Sequence, residues 1–316
     1  MDKKDLKIVF FGTPEFAVES LDALIKNDFN IVGVVTMPDK IAGRGHKLYQ
    51  SDVKRYAIEH NLNVLQPEKL RSEDFINSLR ALDADLFIVI AFRMLPREVW
   101  QMPRLGTFNL HASLLPKYRG AAPINRAVMN GDSETGVTTF FLKHEIDTGD
   151  MIMQRKVKIL PEENVGDVHD KLMHLGAGMV VETVCSILDG TLSTTPQPDG
   201  EFTPAPKIFK EDCRIDWTRP CVDIHNHVRG LSPYPAAWTV IVEESGRPLE
   251  CKIFETKPTE IIVQTDVKTG SLKTDGRRLL AACGDRWLEI LSLQPAGKKR
   301  MTADAFLLGY HPSHIQ

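Results

Sequence analysis

The chain has 316 residues, 42% hydrophobic and 26% charged, with a net charge of −3 from 39 basic and 42 acidic side chains. This globular mix has length for about two domains and for a core that needs no staples. It excludes disordered, collagen-like and disulfide-built proteins, and it offers no global basic field, so any contact with nucleic acid must come from a local patch. The five cysteines, Cys185, Cys213, Cys221, Cys251 and Cys283, are widely spaced with no C-x-x-C. That pattern fits a reducing compartment and not a disulfide framework or zinc ribbon. The apolar run Leu86 to Phe92 is too short to cross a membrane. The start Met1-Asp2-Lys3-Lys4-Asp5 precedes an apolar run that stops at Gly12-Thr13-Pro14, unlike a secretory or transit peptide. A soluble cytoplasmic protein without membrane contact is expected.

The first half alternates strand and helix patterns. Leu6–Gly12 reads as a strand and Pro14–Asn27 as a helix with proline in its first turn. Asn30–Thr36 is a second strand, followed by a loop, Met37–Gln50, and a helix over Ser51–Asn61. Next come a short strand at Asn63–Gln66, a helix over Ser72–Leu82 and the strand Asp85–Phe92, then a short helix after Pro96 and the strand Gly106–Ser113. This order predicts an α/β fold, a Rossmann-like and mainly parallel sheet with flanking helices. After Gly136 the strands Val137–Leu142 and Met151–Ile159 flank the turn HEIDTGD, and Val165–Leu188 is a long amphipathic helix. Thr191–Pro206, rich in Thr, Pro, Gly and Asp, reads as a linker. A helix over Val222–Gly230 then precedes strand-like runs at Ala237–Glu243, Glu250–Glu255, Ile261–Thr265, Arg278–Ala282 and Trp287–Leu293. Their spacing and turns predict a smaller C-terminal β-barrel or sandwich, with an OB-like barrel as the expected form. The expected division is 1–190, a linker at 191–207, and 208–316.

Asn109 and His111 lie two apart on a predicted strand, so their side chains share a face at its carboxyl end, where ligands of open α/β sheets bind. An imidazole exchanges protons near neutral pH, and an amide can donate to a developing oxyanion. Alone, N-x-H is more often a satisfied strand end. Asp147, in Ile146-Asp147-Thr148-Gly149-Asp150, could orient that imidazole and complement its charge, although D-T-G-D is also turn chemistry. Asp150 is assigned to the turn. Gly12-Thr13-Pro14-Glu15-Phe16 lacks both nucleotide-binding glycine patterns, and Glu15 would repel a phosphate at the helix start, which argues against NAD and ATP. The loop Pro38–Lys47 has two glycines beside Arg44, suited to a phosphate or base but also to plain solvent exposure. His225-x-His227 lacks a third ligand at metal spacing, so it and the tail residues His311 and His314 read as packing or surface histidines.

The run Ser113-Leu114-Leu115-Pro116-Lys117-Tyr118-Arg119-Gly120-Ala121-Ala122-Pro123-Ile124 resembles the signature S-L-L-P-x-Y-R-G-x-x-P-I of the folate-dependent formyltransferases. The resemblance spans roughly Leu6 to Met301. It implies Asn109, His111 and Asp147 as the catalytic triad and Ser113, Leu114, Leu115 and Pro116 as the border of the folate. The loop PDKIAGRGHKL, the run Ser292–Met301, and the segments around Lys207 and Arg214–Trp217 resemble the branch of this family that acts on methionyl initiator tRNA. That likeness implies tRNA contacts at Arg44, Lys207, Lys298, Lys299 and Arg300. One string departs: Ala91-Phe92-Arg93-Met94-Leu95-Pro96 is a residue shorter than the usual Ala-Tyr-Gly-x-x-Leu-Pro and has Arg for Gly, beside the expected pterin pocket.

The implied reaction moves the formyl group of 10-formyltetrahydrofolate to the α-amino group of the esterified methionine, in a monomer, by direct attack with no covalent intermediate and no metal. Asn109 and His111 would steady the oxyanion, and His111 would relay the proton. A sugar formyltransferase would share the triad but not both basic segments, and a formyltetrahydrofolate hydrolase would lack the C-terminal domain. A non-catalytic binder would not need the triad.

Overall fold

The structure, a computed structural model, describes residues 2–42, 47–198, 200 and 202–316. Its contacts divide the chain into two compact units: 1–120, 136–157 and 169–204 in one, and 121–135, 158–168 and 205–316 in the other.

The first unit is built on a seven-stranded sheet. Its strands are β1 (Lys7–Gly12), β2 (Asn30–Val35), β3 (Val64–Leu65), β4 (Leu86–Ile90), β5 (Thr107–His111), β6 (Glu134–Phe141) and β7 (Met151–Lys158), in the order β7-β6-β5-β4-β1-β2-β3. β1 runs parallel to β2 and β4, β2 to β3, and β4 to β5, whereas β6 is antiparallel to β5. The chain thus winds outward from β1 in both directions, the doubly wound arrangement expected of alternating strands and helices. β1 and β4 are buried on both faces, which is why IVFF and LFIVI carry no alternation. Gly12 pairs with Ile90 and Ile90 with Leu110, so the carboxyl ends of β1, β4 and β5 lie side by side.

Val165–Leu188 is helical over the expected range. By length and apolar composition it could cross a membrane, a property the sequence reading passed over. Here Leu172, Val180 and Val184 are buried, and Gly176 lies against the Leu110 side chain of β5, closer than a Cβ would allow. Asn164 and Asp167 start it with reciprocal bonds: Asn164 Oδ1 accepts from Gly166 N at 2.7 Å and Asp167 Oδ2 from Asn164 N at 2.9 Å. The loop expected over Met37–Gln50 carries a short antiparallel pair, Lys40–Ala42 with Lys47–Tyr49.

The second unit is a nearly closed antiparallel barrel of β8 (Ala237–Glu243), β9 (Pro248–Ile262), β10 (Leu272–Asp275), β11 (Arg278–Ala282), β12 (Arg286–Pro295) and β13 (Pro312–Ile315), in the order β10-β11-β12-β9-β8-β13. The expected strand Glu250–Glu255 lies within β9, whereas of the expected Ile261–Thr265 only Ile261 and Ile262 are strand, at the end of β9, whose register with β12 shifts three times along its 15 residues. The tail, expected to fray, is a strand: Val242 pairs with His314, and Ile315 N donates to Gly270 O at 2.7 Å beside the first strand of the barrel. Ile241, Ile253, Leu288, Ile290 and Phe306 fill the interior, with Ile224 and Val228 of the helix Cys221–Leu231 packed among them. All five cysteines are free thiols, and burial pushes the Cys251 thiol up to about 12.

His225 and His227 belong to this packing. His225 Nδ1 bonds Thr256 Oγ1 at 3.0 Å, and burial lowers the pKa of both rings below the ordinary 6.5. An unfolded chain therefore binds more protons than the folded one just below pH 6.5, so stability falls as pH drops through that range. Urea unfolding at pH 7.5 and 5.5 should show a loss at the lower pH that is smaller in His227→Phe; equal losses in both proteins refute this origin. Removal of residues 312–316 should cost about 2 kcal/mol, the net worth of a few backbone hydrogen bonds, read as a lower urea midpoint.

Candidate active site

His111 ends β5. It is 7% exposed and paired in register with Thr138 of β6. Its Nε2 lies 2.8 Å from the carbonyl of Tyr118 and its Nδ1 3.9 Å from Asp147 Oδ2. A carbonyl only accepts, so Nε2 carries a proton and the neutral ring has its lone pair on Nδ1, toward the carboxylate. Asn109, half-buried two residues earlier on the same strand, presents its amide on the same face.

Asp147 is held from several sides. Its Oδ2 accepts from Gly120 N at 2.9 Å, and its backbone lies in the left-handed region, φ 55°. Gln197 Nε2 donates to the carbonyls of Asp147 and Gly149 at 2.7 and 2.9 Å, while its Oε1 accepts from Arg119 Nε and Nη2 at 3.1 and 2.6 Å. A Cβ on Gly149 would lie 1.5 Å from the Phe141 carbonyl oxygen, so only glycine permits this turn. Asp150 is used elsewhere: it accepts from Lys143 Nζ at 2.7 Å. Gln197 and Arg119 were missed by sequence reasoning. Arg119 stands inside the recognised signature, but Gln197 lies in the stretch expected as a linker, and nothing local distinguishes it.

Ser113 is fully buried and its polar atoms are engaged: Oγ donates to Lys117 O at 2.5 Å, and its carbonyl accepts from Thr138 Oγ1 at 2.7 Å. Leu115 is buried, its N–H donates to Thr138 Oγ1 at 3.2 Å and its carbonyl accepts from Gln154 Nε2 at 3.1 Å. Leu114 and Pro116 are half-buried. A Cβ on Gly136 would meet the Leu114 side chain at 2.4 Å. The run that carries the family likeness is thus a braced loop leading from His111 to the carbonyl that holds His111.

A cleft of about 520 Å³ lies elsewhere in this unit, with an apolar floor of Leu70, Leu95, Pro96 and Trp100 and cations at Lys69, Arg71, Arg93 and Arg97. Asn109, His111 and Asp147 do not line it. Arg93, the departure noted above, folds back: Nη1 donates to Glu68 O at 2.8 Å and Nη2 donates to Pro67 O, joining the cleft walls. Burial lowers its pKa. Thr13, at the carboxyl end of β1, has a buried hydroxyl with no hydrogen-bond partner among the described residues.

Of the expected tRNA contacts, Arg44 lies outside the described residues. At the base of its loop, Asp39 accepts from Lys54 Nζ at 2.6 Å and Gln66 Nε2 at 2.8 Å; the Lys54 bond lowers its carboxyl below the usual range. Lys207 is exposed, its ammonium 5.4 Å from the Phe209 ring centre. Lys298 and Lys299 are exposed in a turn, whereas Arg300 donates to Glu255 and, at 2.8 Å, to Ser292 Oγ. Among the described residues no cluster of His, Cys, Asp or Glu is arranged to hold a metal.

Residues 6–184 match the formyl transferase family and residues 207–311 match the formyl transferase C-terminal domain. The chain belongs to this family and is a formyl-group transferase. It is 57% identical to the methionyl-tRNA formyltransferase of Bacteroides fragilis, over 98% of this chain and 97% of that one, and 50% identical to that of Flavobacterium johnsoniae, over 96% of each. Among solved structures, the fold is similar to a sugar 3N-formyl transferase, WlaRD, determined with dTDP and 5-N-formyl-THF (TM-score 0.67, 19% identity, 93% of this chain and 99% of that one). It is also similar to HypX of Aquifex aeolicus in complex with tetrahydrofolic acid (TM-score 0.63, 18% identity, 96% of this chain and 46% of that one).

The bracing of Asp147 is testable. Gln197→Ala should lower formyl transfer by about ten- to a hundred-fold, the scale of a misplaced catalytic group, with the melting temperature nearly unchanged. Wild-type turnover in a folded variant would show that the turn holds itself.

Proposed function

We propose that the chain takes the formyl group from 10-formyltetrahydrofolate and delivers it to the α-amino group of methionine on the initiator tRNA, in the cytoplasm and as a monomer, in support of translation initiation. The observation that carries this reading is the His111–Asp147 pair, at the carboxyl edge of the sheet in a chain with near full-length methionyl-tRNA formyltransferase relatives.

The neutral amine attacks the formyl carbon, a C–N bond forms, and negative charge gathers on the formyl oxygen. The Asn109 amide hydrogen-bonds that oxygen, joined by the His111 ring once it has taken up the amine's proton. As the bond to the folate nitrogen breaks, that nitrogen must gain the proton the amine loses. With Nε2 committed to the Tyr118 carbonyl, Nδ1 is the His111 nitrogen left to take up and return this proton. Asp147 at 3.9 Å balances the transient charge. No covalent intermediate enters this route.

The Ser113–Pro116 loop borders the folate. Arg44, Lys207, Lys298, Lys299 and Arg300 are assigned to tRNA phosphates, with 208–316 as the tRNA-binding domain, 191–207 as its link and 1–190 as the catalytic domain.

The decisive assay compares methionyl initiator tRNA, free methionine and water as acceptors. Fast transfer to the charged tRNA alone is expected; equal loss of formyl to water with or without tRNA would mean a hydrolase. His111→Ala should fold normally and lose about 10²–10⁴-fold in turnover, the usual contribution of acid–base help.

A further inference from the structure

We propose that the second unit carries a base-stacking platform, made of Phe209, Trp238 and Tyr234, for unpaired nucleotides of the acceptor tRNA. The choice of tRNA as partner rests on the reading above; the platform itself rests on side-chain placement.

Phe209 is 57% exposed and Tyr234 81% exposed, in a unit whose other aromatic groups, such as Phe306, fill the core. Single exposed apolar groups are common, but these are interleaved with cations. The Lys207 ammonium lies 5.4 Å from the Phe209 ring centre. The Trp238 ring has Lys210 Nζ at 5.4 Å and Arg214 Cζ at 5.5 Å. Trp238 Nε1 donates to Lys210 O at 2.8 Å, which ties the indole to the residue after Phe209. Lys252 stands opposite Trp238 in the β8–β9 register and donates to Pro235 O at 3.3 Å, next to Tyr234. Bonds and strand register thus connect the indole of Trp238 to Lys210, which follows Phe209, and to Lys252, which reaches the residue after Tyr234.

Three neighbouring carboxylates are engaged within the protein. Asp212 accepts from Phe209 N at 2.9 Å, Asp216 from Thr218 Oγ1 at 2.6 Å, and Glu250 lies 3.7 Å from Lys210 Nζ. Flat rings flanked by Lys and Arg are what unpaired nucleotides require: stacking for the bases and cations for the phosphates. A paired stem offers phosphates but no open base faces, so it would use the cations and leave the rings idle. The net charge of −3 is consistent with a footprint this local.

The test is fluorescence anisotropy of a labelled initiator tRNA transcript with the full chain and its variants Phe209→Ala, Tyr234→Ala, Phe209→Trp and Lys207→Ala, each checked by thermal melting. Loss of one stacked base corresponds to about five-fold or more in Kd. Phe209→Ala and Tyr234→Ala should each weaken binding by at least that factor without changing its salt dependence, and Phe209→Trp should restore it. Lys207→Ala should instead flatten the salt slope by about one. A blunt-ended RNA duplex should bind wild type and the two aromatic variants alike. The platform is overturned if folded Phe209→Ala and Tyr234→Ala bind the transcript as wild type does, or if wild type does not bind it. If binding depends on the rings but the charged tRNA receives no formyl group, the acceptor reading fails and the platform stands.

Discussion

One hydrogen bond organises the candidate active site: His111 Nε2 to the carbonyl of Tyr118. It settles which ring nitrogen carries the proton and turns the other toward Asp147. Everything around it serves to keep that carbonyl in place. Tyr118 lies at the end of a loop that begins two residues after His111, and its backbone is in the left-handed region at φ 61°. The buried Ser113 hydroxyl on Lys117 O, and the Thr138 hydroxyl on Ser113 O, close the loop on itself. A buried polar network of this kind is stiff because every member left unpaired would be costly.

The carboxylate side is built by different means. The Asp147 turn depends on the absence of a side chain at Gly149, on the Gly120 N–H, and on the Gln197 amide, which bonds two carbonyls of the turn. Arg119, one residue after Tyr118, holds the oxygen of the same Gln197. The loop that fixes the imidazole and the turn that fixes the carboxylate therefore share a support. Their separation of 3.9 Å is kept by a small set of bonds across 78 residues of chain.

Much of this organisation was legible in the sequence. Unbroken apolar runs such as IVFF and LFIVI can satisfy both faces only inside a covered parallel sheet, and the two-residue spacing of Asn109 and His111 sets one face of a strand. The 24-residue helix Val165–Leu188 was readable end to end because its start and stop are chemically marked. The C-terminal unit was read less completely. β9 looked like two strands because register shifts hide a continuous strand from any periodic pattern, and β13 looked like a frayed tail because four residues carry almost no pattern. Arg93 stood beside an expected pocket in the sequence; in the fold its Nη1 and Nη2 donate to the carbonyls of Glu68 and Pro67.

Local chemistry in the chain thus determined the strand and helix order, the identity of His111, Asn109 and Asp147 as reactive candidates, and the family likeness. These depend on neighbours a few residues apart, which the sequence records directly. The tautomer of His111, the support of Asp147 by Gln197, the edge strand made by residues 312–315, and the placing of Lys210 and Lys252 beside Trp238 were decided only by tertiary structure. Apart from the seven-residue loop that returns the Tyr118 carbonyl to His111, each depends on partners far apart in the chain, and no residue type or spacing announces which distant carbonyl or ring will be brought within bonding distance.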